Sequence, residues 1–405
     1  MFPGLREKLA ETYKNIFALD LKQFADTFLC YLESFNDFFS AKPALTCGIS
    51  NPCNSEDSDC GNNKWDDPRL LETSSLDKRA PRRSYCLEYP NGQGATSETT
   101  MRPGSYDSSS ELPTDSPVRE RAIVYRNFAD CADSEVIMVT VRTGNIFNGR
   151  MVHNELETEL NTEPRFLSDI AHGRLDDDTP NTYDPIPAGF LADGWLNARV
   201  IDPVTWGLPV GGAEDDSTNR ELEIPSVRIY EAYGSRRNID NFFLLDAYLN
   251  FHKNRCWMWR RWNRGPLADS SMQRYIDDIA DPDQALWRLR SVISVYRYLN
   301  AEEVRLGLRA QYRDIGNERW TINQAWNAQY PAQAFDIRPY WPRWFRNHIQ
   351  GMIRTSTAFM DRWLDAMEAQ WRRGTGQLAD RVKQDIARLK MQVKNGAIDI
   401  RIDDF

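Results

Sequence analysis

The chain has 405 residues, of which 41% are hydrophobic, so it is long enough for two or three domains and can bury a sizeable core in part of them. Its formal net charge of −9 disfavours a general role in binding nucleic acid or anionic membranes, because such partners require clustered positive charge. No run of about 18 consecutive apolar residues occurs, which excludes a transmembrane helix.

Residues 1–46 are predicted to form an amphipathic helical segment. Their apolar residues recur at a spacing of three to four, beginning with Leu9, Tyr13, Ile16 and Phe17. Charged residues interrupt this start throughout, and it never builds the apolar core of a signal peptide. No export signal is therefore visible in this chain.

Residues 47–118 are predicted to be a linker, largely disordered except where cysteines tie it down. Helical periodicity is lost there, and Ser, Asp, Asn, Gly, Pro and Thr dominate. Cysteines are concentrated in and around this linker at spacings wider than those of most metal-binding pairs, which favours disulfides over a metal site. The disulfide candidates are Cys30, Cys47, Cys53, Cys60, Cys86 and Cys131, whereas the seventh cysteine, Cys256, is predicted to be a buried thiol.

Residues 119–405 are predicted to form an α+β domain, with a small β-sheet followed by a mainly helical part from about residue 238. Ala122 to Phe128 and Glu135 to Val141 are β-branched runs typical of strands. Residues 154–172 are predicted to be helical, with a break or a new first turn near Pro164. Residues 176–226 are rich in acidic residues and prolines, which indicates loops.

The rest of the domain has helical periodicity. Helices are predicted over residues 239–259, 282–299 and 302–320, from Pro342 onward, and over residues 377–394 up to Gly396. The last apolar residues alternate with polar ones, as in an edge strand: Ile398, Ile400 and Ile402.

The run from Asp278 to Ala285 has three of the four carboxylates of a D-x-x-D-x-D-x-E motif. Family 18 chitinases use the glutamate of this motif to protonate the glycosidic oxygen, and Ala285 stands in its place. Pro282 lies within an acidic stretch between two helical patterns, which is typical of a helix start capped by Asp281 rather than of a buried barrel strand. We therefore assign no catalytic residue and no cofactor.

Residues Arg150 to Glu157 are rich in His and acids, and they lead to a P-x-F-L stretch at Pro164 to Leu167 and a G-x-L turn at Gly173 to Leu175. This order resembles the segment that follows the catalytic barrel in fungal killer-toxin-like chitinases of glycoside hydrolase family 18. The resemblance covers roughly residues 76–315, and further similar stretches are Arg228 to Ser235, Asn241 to Leu245, Leu249 to Lys253 and Val295 to Asn300.

The members of that family are secreted multidomain proteins, in which a signal peptide, chitin-binding modules and the barrel precede this region. The resemblance implies that the chain corresponds to the part after the barrel, and that it is secreted if it belongs to a larger precursor. It carries over no active-site residue, since no catalytic motif defines this part of the family.

Two stretches combine tryptophan and arginine, at Arg255 to Arg264 and at Tyr340 to Arg346. Tryptophan faces stack on sugar rings and arginine donates hydrogen bonds to hydroxyls, whereas core packing is the commoner use of large aromatics. The candidate ligand-binding residues are Trp257, Trp259, Arg260, Trp262, Trp341 and Trp344. The predicted function is thus that of a non-catalytic, chitinase-related protein that binds chitin, another cell-wall glycan or a protein partner.

Two alternatives remain open from the sequence. His153 and Glu157 are four residues apart, so on one helix face they would offer an imidazole and a carboxylate for a hydrolase, with His172 as a further candidate. Solvated surface acids and a capping imidazole are the simpler interpretation, and no metal ligand is assigned. The other alternative is an intracellular helical scaffold in which all seven cysteines are reduced.

Overall fold

The structure is a computed structural model. It describes residues 85–90, 96–101, 106–142, 146–147, 150–156, 158–175, 184–195, 225–235, 238–259 and 265–401. The predicted helical segment 1–46 and the first part of the predicted linker lie outside these residues.

The described part is an α+β domain, as predicted. Its strands are β1 (Tyr85–Pro90), β2 (Thr96–Met101), β3 (Ala122–Tyr125), β4 (Val136–Val139), β5 (Ile146–Phe147), β6 (Arg150–Leu156) and β7 (Phe242–Asp246). Its α-helices are α1 (Thr162–Ala171), α2 (Pro225–Tyr233), α3 (Ala247–Trp257), α4 (Asp269–Asp277), α5 (Asp283–Asn300), α6 (Glu302–Gln329), α7 (Tyr340–Trp371) and α8 (Gln377–Lys394).

Strands β1 and β2 form an antiparallel hairpin that packs against helix α1. The apolar side chain of Leu87 in β1 is fully buried. This hairpin lies inside residues 47–118, so the ordered domain begins earlier than the predicted boundary at residue 119. The polar composition of this stretch hides the strands, because only alternate residues of a half-buried strand need to be apolar.

The five-stranded sheet has the order β4-β3-β7-β6-β5. Only β3 and β7 are parallel, and the other neighbours are antiparallel. Every residue of these two inner strands is buried, whereas every residue of β4 at the edge is at least partly exposed. Strands β3 and β4 lie within the two β-branched runs and confirm that prediction.

Two predicted helices begin in strands instead. Residues Asn154 to Leu156 belong to β6, and the helix predicted from residue 154 starts only at Thr162. Likewise, the helix predicted from residue 239 starts at Ala247, after strand β7. The physical reason is burial: β7 is apolar on both faces, and a short continuous apolar run fits a central strand as well as a helix.

Helix α5 lies at the centre of the helical part and packs against α3, α4, α6, α7 and α8. Its predicted apolar stripe, at Leu286, Leu289, Ile293 and Tyr296, is buried. Helix α8 has the bounds expected from its pattern, and the chain leaves it at Gly396, where φ is +76°. No helix within the described ranges combines the length and the apolar character that crossing a bilayer requires.

The predicted edge strand at the end of the chain is wrong for residues 398–400. Ile398 and Ile400 are both buried in the core, but the chain around them is irregular. Asn300 at the end of α5 donates a hydrogen bond to the carbonyl oxygen of Asp399, at 2.5 Å. Ile402 lies outside the described residues.

Candidate functional site

The acidic run 278–285 forms the turn between α4 and α5. One carboxylate oxygen of Asp278 accepts hydrogen bonds from the backbone N–H groups of Ala280 at 3.1 Å and Asp281 at 3.2 Å. Asp283 at the start of α5 forms an ion pair with Arg381, at 2.8 Å. Ala285, which occupies the position of the motif's glutamate, is fully buried.

Pro282 has helical dihedral angles, and its carbonyl accepts the first hydrogen bond of α5, from the N–H of Leu286 at 3.2 Å. The run is therefore a helix start, as predicted, but the predicted cap at Asp281 is wrong: Pro282 is itself the N-cap, and no side chain caps the helix. The carboxylate of Asp278 binds the turn and that of Asp283 binds helix α8, and these residues do not belong to a barrel strand that would direct them toward a substrate.

The four candidate tryptophans that the structure describes are buried. Trp257 donates its indole N–H to the hydroxyl of Thr162 at 2.8 Å, and Trp344 donates to Asp169 at 2.8 Å. The indoles of the other two, Trp259 and Trp341, donate to backbone carbonyls of the neighbouring helices.

Sugar stacking requires an accessible ring face. The rings of Trp257, Trp259, Trp341 and Trp344 instead pack on other side chains of the core, the commoner use of such residues. The two remaining candidates, Arg260 and Trp262, lie outside the described residues.

The four histidines occupy separate positions. His153 lies in strand β6, where residues four apart are separated by about 13 Å, so the helix face expected for His153 and Glu157 does not form. Glu157 itself lies outside the described residues. Ring nitrogen Nδ1 of His172 lies 2.7 Å from the carbonyl oxygen of Ser168 at the end of α1.

The other two histidines are buried. Burial, together with the positive charges of nearby arginines, lowers the pKa of His252 to about 3, so its ring is neutral at ordinary pH. His348 stacks on Trp344 with a distance of 5.1 Å between ring centroids. No group of three or more His, Cys, Asp or Glu residues suited to a metal ion occurs in the described part of the chain.

The cysteines that the structure describes give no disulfide. Cys131 is a buried thiol in the loop between β3 and β4. Cys256 is buried as predicted, and burial raises the pKa of its thiol to about 12. Of the other disulfide candidates, Cys86 is described only by its backbone in β1, and Cys30, Cys47, Cys53 and Cys60 lie outside the described residues.

Glu163, Tyr233 and Arg319 form a buried cluster, which we call the polar centre. Both oxygens of the Glu163 carboxylate accept hydrogen bonds from the Arg319 guanidinium. Tyr233 donates its hydroxyl to the same carboxylate at 3.1 Å. The guanidinium also lies over two aromatic rings, 4.0 Å from the centroid of Phe166 and 3.8 Å from that of Trp341.

A second buried ion pair lies at the end of β6. Lys253 on α3 approaches Glu159 at 3.1 Å and donates a hydrogen bond to the carbonyl oxygen of Leu156 at 2.5 Å. Nearby, Thr158 donates to the side chain of Gln311, which in turn donates to the backbone carbonyl of Tyr233. These contacts fix the chain between β6 and α1 to helices α2, α3 and α6.

The polar centre is suited to holding elements together. Burial, followed by the neighbouring Glu163 carboxylate, raises the pKa of Tyr233 well above its usual value, which keeps its hydroxyl protonated. Sequence reasoning missed this cluster, although one signal was present. Gln311 and Arg319 stand on the same buried stripe of α6 as Leu308, Ile315 and Ile322, and a polar residue on an apolar stripe indicates a buried partner.

Strand β4 is the exposed edge of the five-stranded sheet. Ile137 is 41% exposed and Met138 is 37% exposed, and they point to opposite faces of the strand. The strand therefore presents apolar side chains on both of its faces.

The backbone of β4 also has groups that point away from the sheet. Arg126 donates its N–H to the carbonyl of Glu135 at 2.9 Å, and the register then pairs Val124 with Ile137. Because inward and outward groups alternate along an antiparallel strand, Ile137 and Val139 face β3 while Val136 and Met138 direct their N–H and C=O groups outward. Within the described ranges no other strand lies beside this edge.

No family model, no curated protein and no solved structure matches this chain.

Proposed function

We propose that this chain is a chitinase-related, non-catalytic domain that binds a protein partner and does not cleave a glycan. The observation that carries the proposal is the place of the acidic run. Asp278 caps its own turn, Asp283 pairs with Arg381, and the methyl group of Ala285 is buried where a glycosidase of family 18 presents its proton donor.

A protein partner is favoured over a glycan by the burial of the aromatic residues. Protein modules that bind sugars present aromatic faces to the ligand, and Trp257, Trp259, Trp341 and Trp344 direct their rings and their N–H groups into the core. The exposed apolar side chains of β4, in contrast, are typical of a surface that contacts another polypeptide.

The first experiment measures turnover of a fluorogenic chito-oligosaccharide by the purified chain. We expect no release of fluorophore above the rate of the buffer, because the family 18 route requires a carboxylic acid at the leaving-group oxygen. The matched control is the variant Asp278→Asn. Turnover by the wild-type chain that disappears in this variant would contradict the non-catalytic proposal.

The second experiment measures retention on chitin beads. We expect the wild-type chain to elute with a control protein of similar charge, since the four described tryptophans have no accessible face. The variants Arg260→Ala and Trp262→Ala test the two candidates that the structure does not describe. Retention of the wild-type chain that is lost in either variant would establish glycan binding and contradict the choice of a protein partner.

A further inference from the structure

Arg290 on helix α5 is a fully buried cation whose hydrogen bonds all lie on one side. Its Nη1 donates to the backbone carbonyls of Asn127 at 3.1 Å, Phe128 at 3.2 Å and Asp130 at 2.6 Å, in the loop between β3 and β4. Its Nε and Nη2 are buried as well, but within the described part of the chain they have no hydrogen-bond partner. The loop therefore fixes the guanidinium and leaves two charged N–H donors without an acceptor.

The same two nitrogens of other arginines bind carboxylates in this chain. Nε and Nη2 of Arg126 donate to the two oxygens of Asp133, at 3.0 and 2.8 Å. Arg338 holds both oxygens of Asp336 with the corresponding pair of nitrogens. The two N–H groups on this edge of a guanidinium point in parallel, so they match the two oxygens of a planar oxyanion. The corresponding edge of Arg290 is thus shaped for a carboxylate.

The acidic side chains of the loop between β3 and β4 do not occupy this edge. Each forms an ion pair with a different arginine: Asp130 with Arg388, Asp133 with Arg126 and Glu135 with Arg297. Aromatic rings lie beside the Arg290 guanidinium instead, and its carbon Cζ is 4.4 Å from the ring centroid of Tyr125 and 5.7 Å from that of Phe128. A ring stabilises the positive charge through its face, but it offers no lone pair to the N–H groups. The acceptor that fits this edge is therefore a bound anion.

Two further polar side chains lie next to Arg290. Trp287 stands about one turn earlier on the same face of α5, with its ring centroid 5.5 Å from Cζ of Arg290, and its buried indole N–H has no partner among the described residues. The ring of His252 lies 5.8 Å from that of Trp287, and its buried Nδ1 likewise has no partner there. The charges that act on His252 are all positive, those of Arg288, Arg255 and Arg290. These donors and charges favour an anion over a water molecule as the ligand.

We propose that Arg290, Trp287 and His252 bind a small carboxylate anion between helices α3 and α5 and the loop that follows β3. Nε and Nη2 of Arg290 donate to its two oxygens, and the indole N–H of Trp287 adds a third hydrogen bond. Because the side chain of Arg290 is 0% exposed, the ligand is a small acid in solution rather than an acidic side chain of a folded partner. It enters past the loop, in which Asn127 and Ala129 are exposed. The inference is independent of the proposed protein partner and of the absence of catalysis.

The test is a titration of the full chain with sodium acetate between about 0.1 and 50 mM, a range suited to a ligand of few atoms. Thermal unfolding and isothermal titration calorimetry follow the binding, and sodium chloride at the same ionic strength is the control. We expect acetate to raise the Tm and the rise to saturate, because a ligand that binds only the folded chain stabilises it. Chloride lacks a second oxygen and should give a smaller change. The absence of a saturable effect of acetate, or an equal effect of chloride, overturns the proposal.

Two variants and one matched control locate the site. Trp287→Phe keeps an aromatic ring and removes the N–H, so we expect the dissociation constant of acetate to rise about three- to tenfold. Arg290→Lys keeps the charge and loses the paired donors, which should weaken binding at least about tenfold. The control Trp195→Phe should leave binding unchanged, because the indole N–H of Trp195 is also buried without a partner in the described part of the chain, but its ring packs on Phe190.

Circular dichroism shows whether each variant is folded, and Trp287→Phe alone decides the test if Arg290→Lys does not fold. Acetate binding that Trp287→Phe leaves unchanged, or that Trp195→Phe weakens equally, lies elsewhere in the chain and overturns the proposal.

Discussion

Replacing Arg319 by methionine should destabilise the domain strongly. In the polar centre, the side chains of Arg319 and Glu163 are 1% and 0% exposed. If one of them is removed, water therefore cannot solvate the charge of the other. Removal of one member of a buried ion pair costs about 3–5 kcal/mol, because the remaining charge is left in a medium of low polarity. We therefore expect Arg319→Met to lower the free energy of unfolding by about 4 kcal/mol.

The measurement is urea unfolding followed by tryptophan fluorescence, for a set of four variants. Arg362→Met is the matched control, since Arg362 pairs with Asp269 at the surface with side chains 49% and 41% exposed, and exposed pairs contribute about 0–1 kcal/mol. Glu163→Leu alone should cost about as much as Arg319→Met. The double variant should lose only about 1–3 kcal/mol, because no charge is stranded and only the Tyr233 hydroxyl loses its acceptor. A loss for Arg319→Met no larger than that of the control, or single losses that simply add in the double variant, would refute this reasoning.

Three further predictions concern the core. Gly351→Ala should destabilise the domain by about 1–3 kcal/mol, because the new methyl would lie 2.1 Å from the ring of Trp259. The control Gly316→Ala should be neutral or stabilising, because the nearest atom to its methyl, on the ring of Trp341, is 3.4 Å away. Thermal unfolding of both variants provides the comparison. Cys256, with its pKa raised to about 12 by burial, should resist iodoacetamide at pH 8 in the native protein and react after denaturation, and peptide mass spectrometry that finds rapid native labelling would contradict this expectation. Burial lowers the pKa of His252 from 6.5 to about 3, so between these pH values the unfolded chain binds more protons than the folded one. The free energy of unfolding should therefore decrease as the pH falls, by about 1 kcal/mol between pH 7 and 5.5. Urea unfolding of His252→Gln at both pH values should show a smaller decrease, and an equal decrease would exclude this histidine as the cause.

The helical half of the fold could be predicted from the sequence, because its periodicity is long and its ends carry clear signals. The stripe of α5 and the stop of α8 at Gly396 are examples. Strands β6 and β7 could not be predicted, since neither has a turn signal or an alternating pattern strong enough to override the neighbouring helices. β7 in particular is a strand because it pairs with both β3 and β6, which are distant from it in sequence.

In the candidate site, too, the local features could be predicted from the sequence and the long-range contacts could not. Ala285 and the proline at residue 282 allowed the helix start to be predicted, because a missing carboxylate and a proline act locally. The polar centre depends on contacts between α1, α2 and α6, so only one of its signals, Arg319 on an apolar stripe, was visible in the chain. The tryptophans, in turn, were identified as aromatic clusters, but their burial is decided by helices far away in sequence.

The parallel pairing of β3 with β7 has a consequence for synthesis on the ribosome. Ala122 pairs with Leu244, so the β3–β4 hairpin emerges long before the strand that covers its inner side is made. At a translation rate of about 10 residues per second, this interval lasts on the order of 10 s, far longer than a hairpin needs to form. During that time the β3 edge that later pairs with β7 is open to pairing with other strands, which makes this stage of synthesis the one most exposed to aggregation.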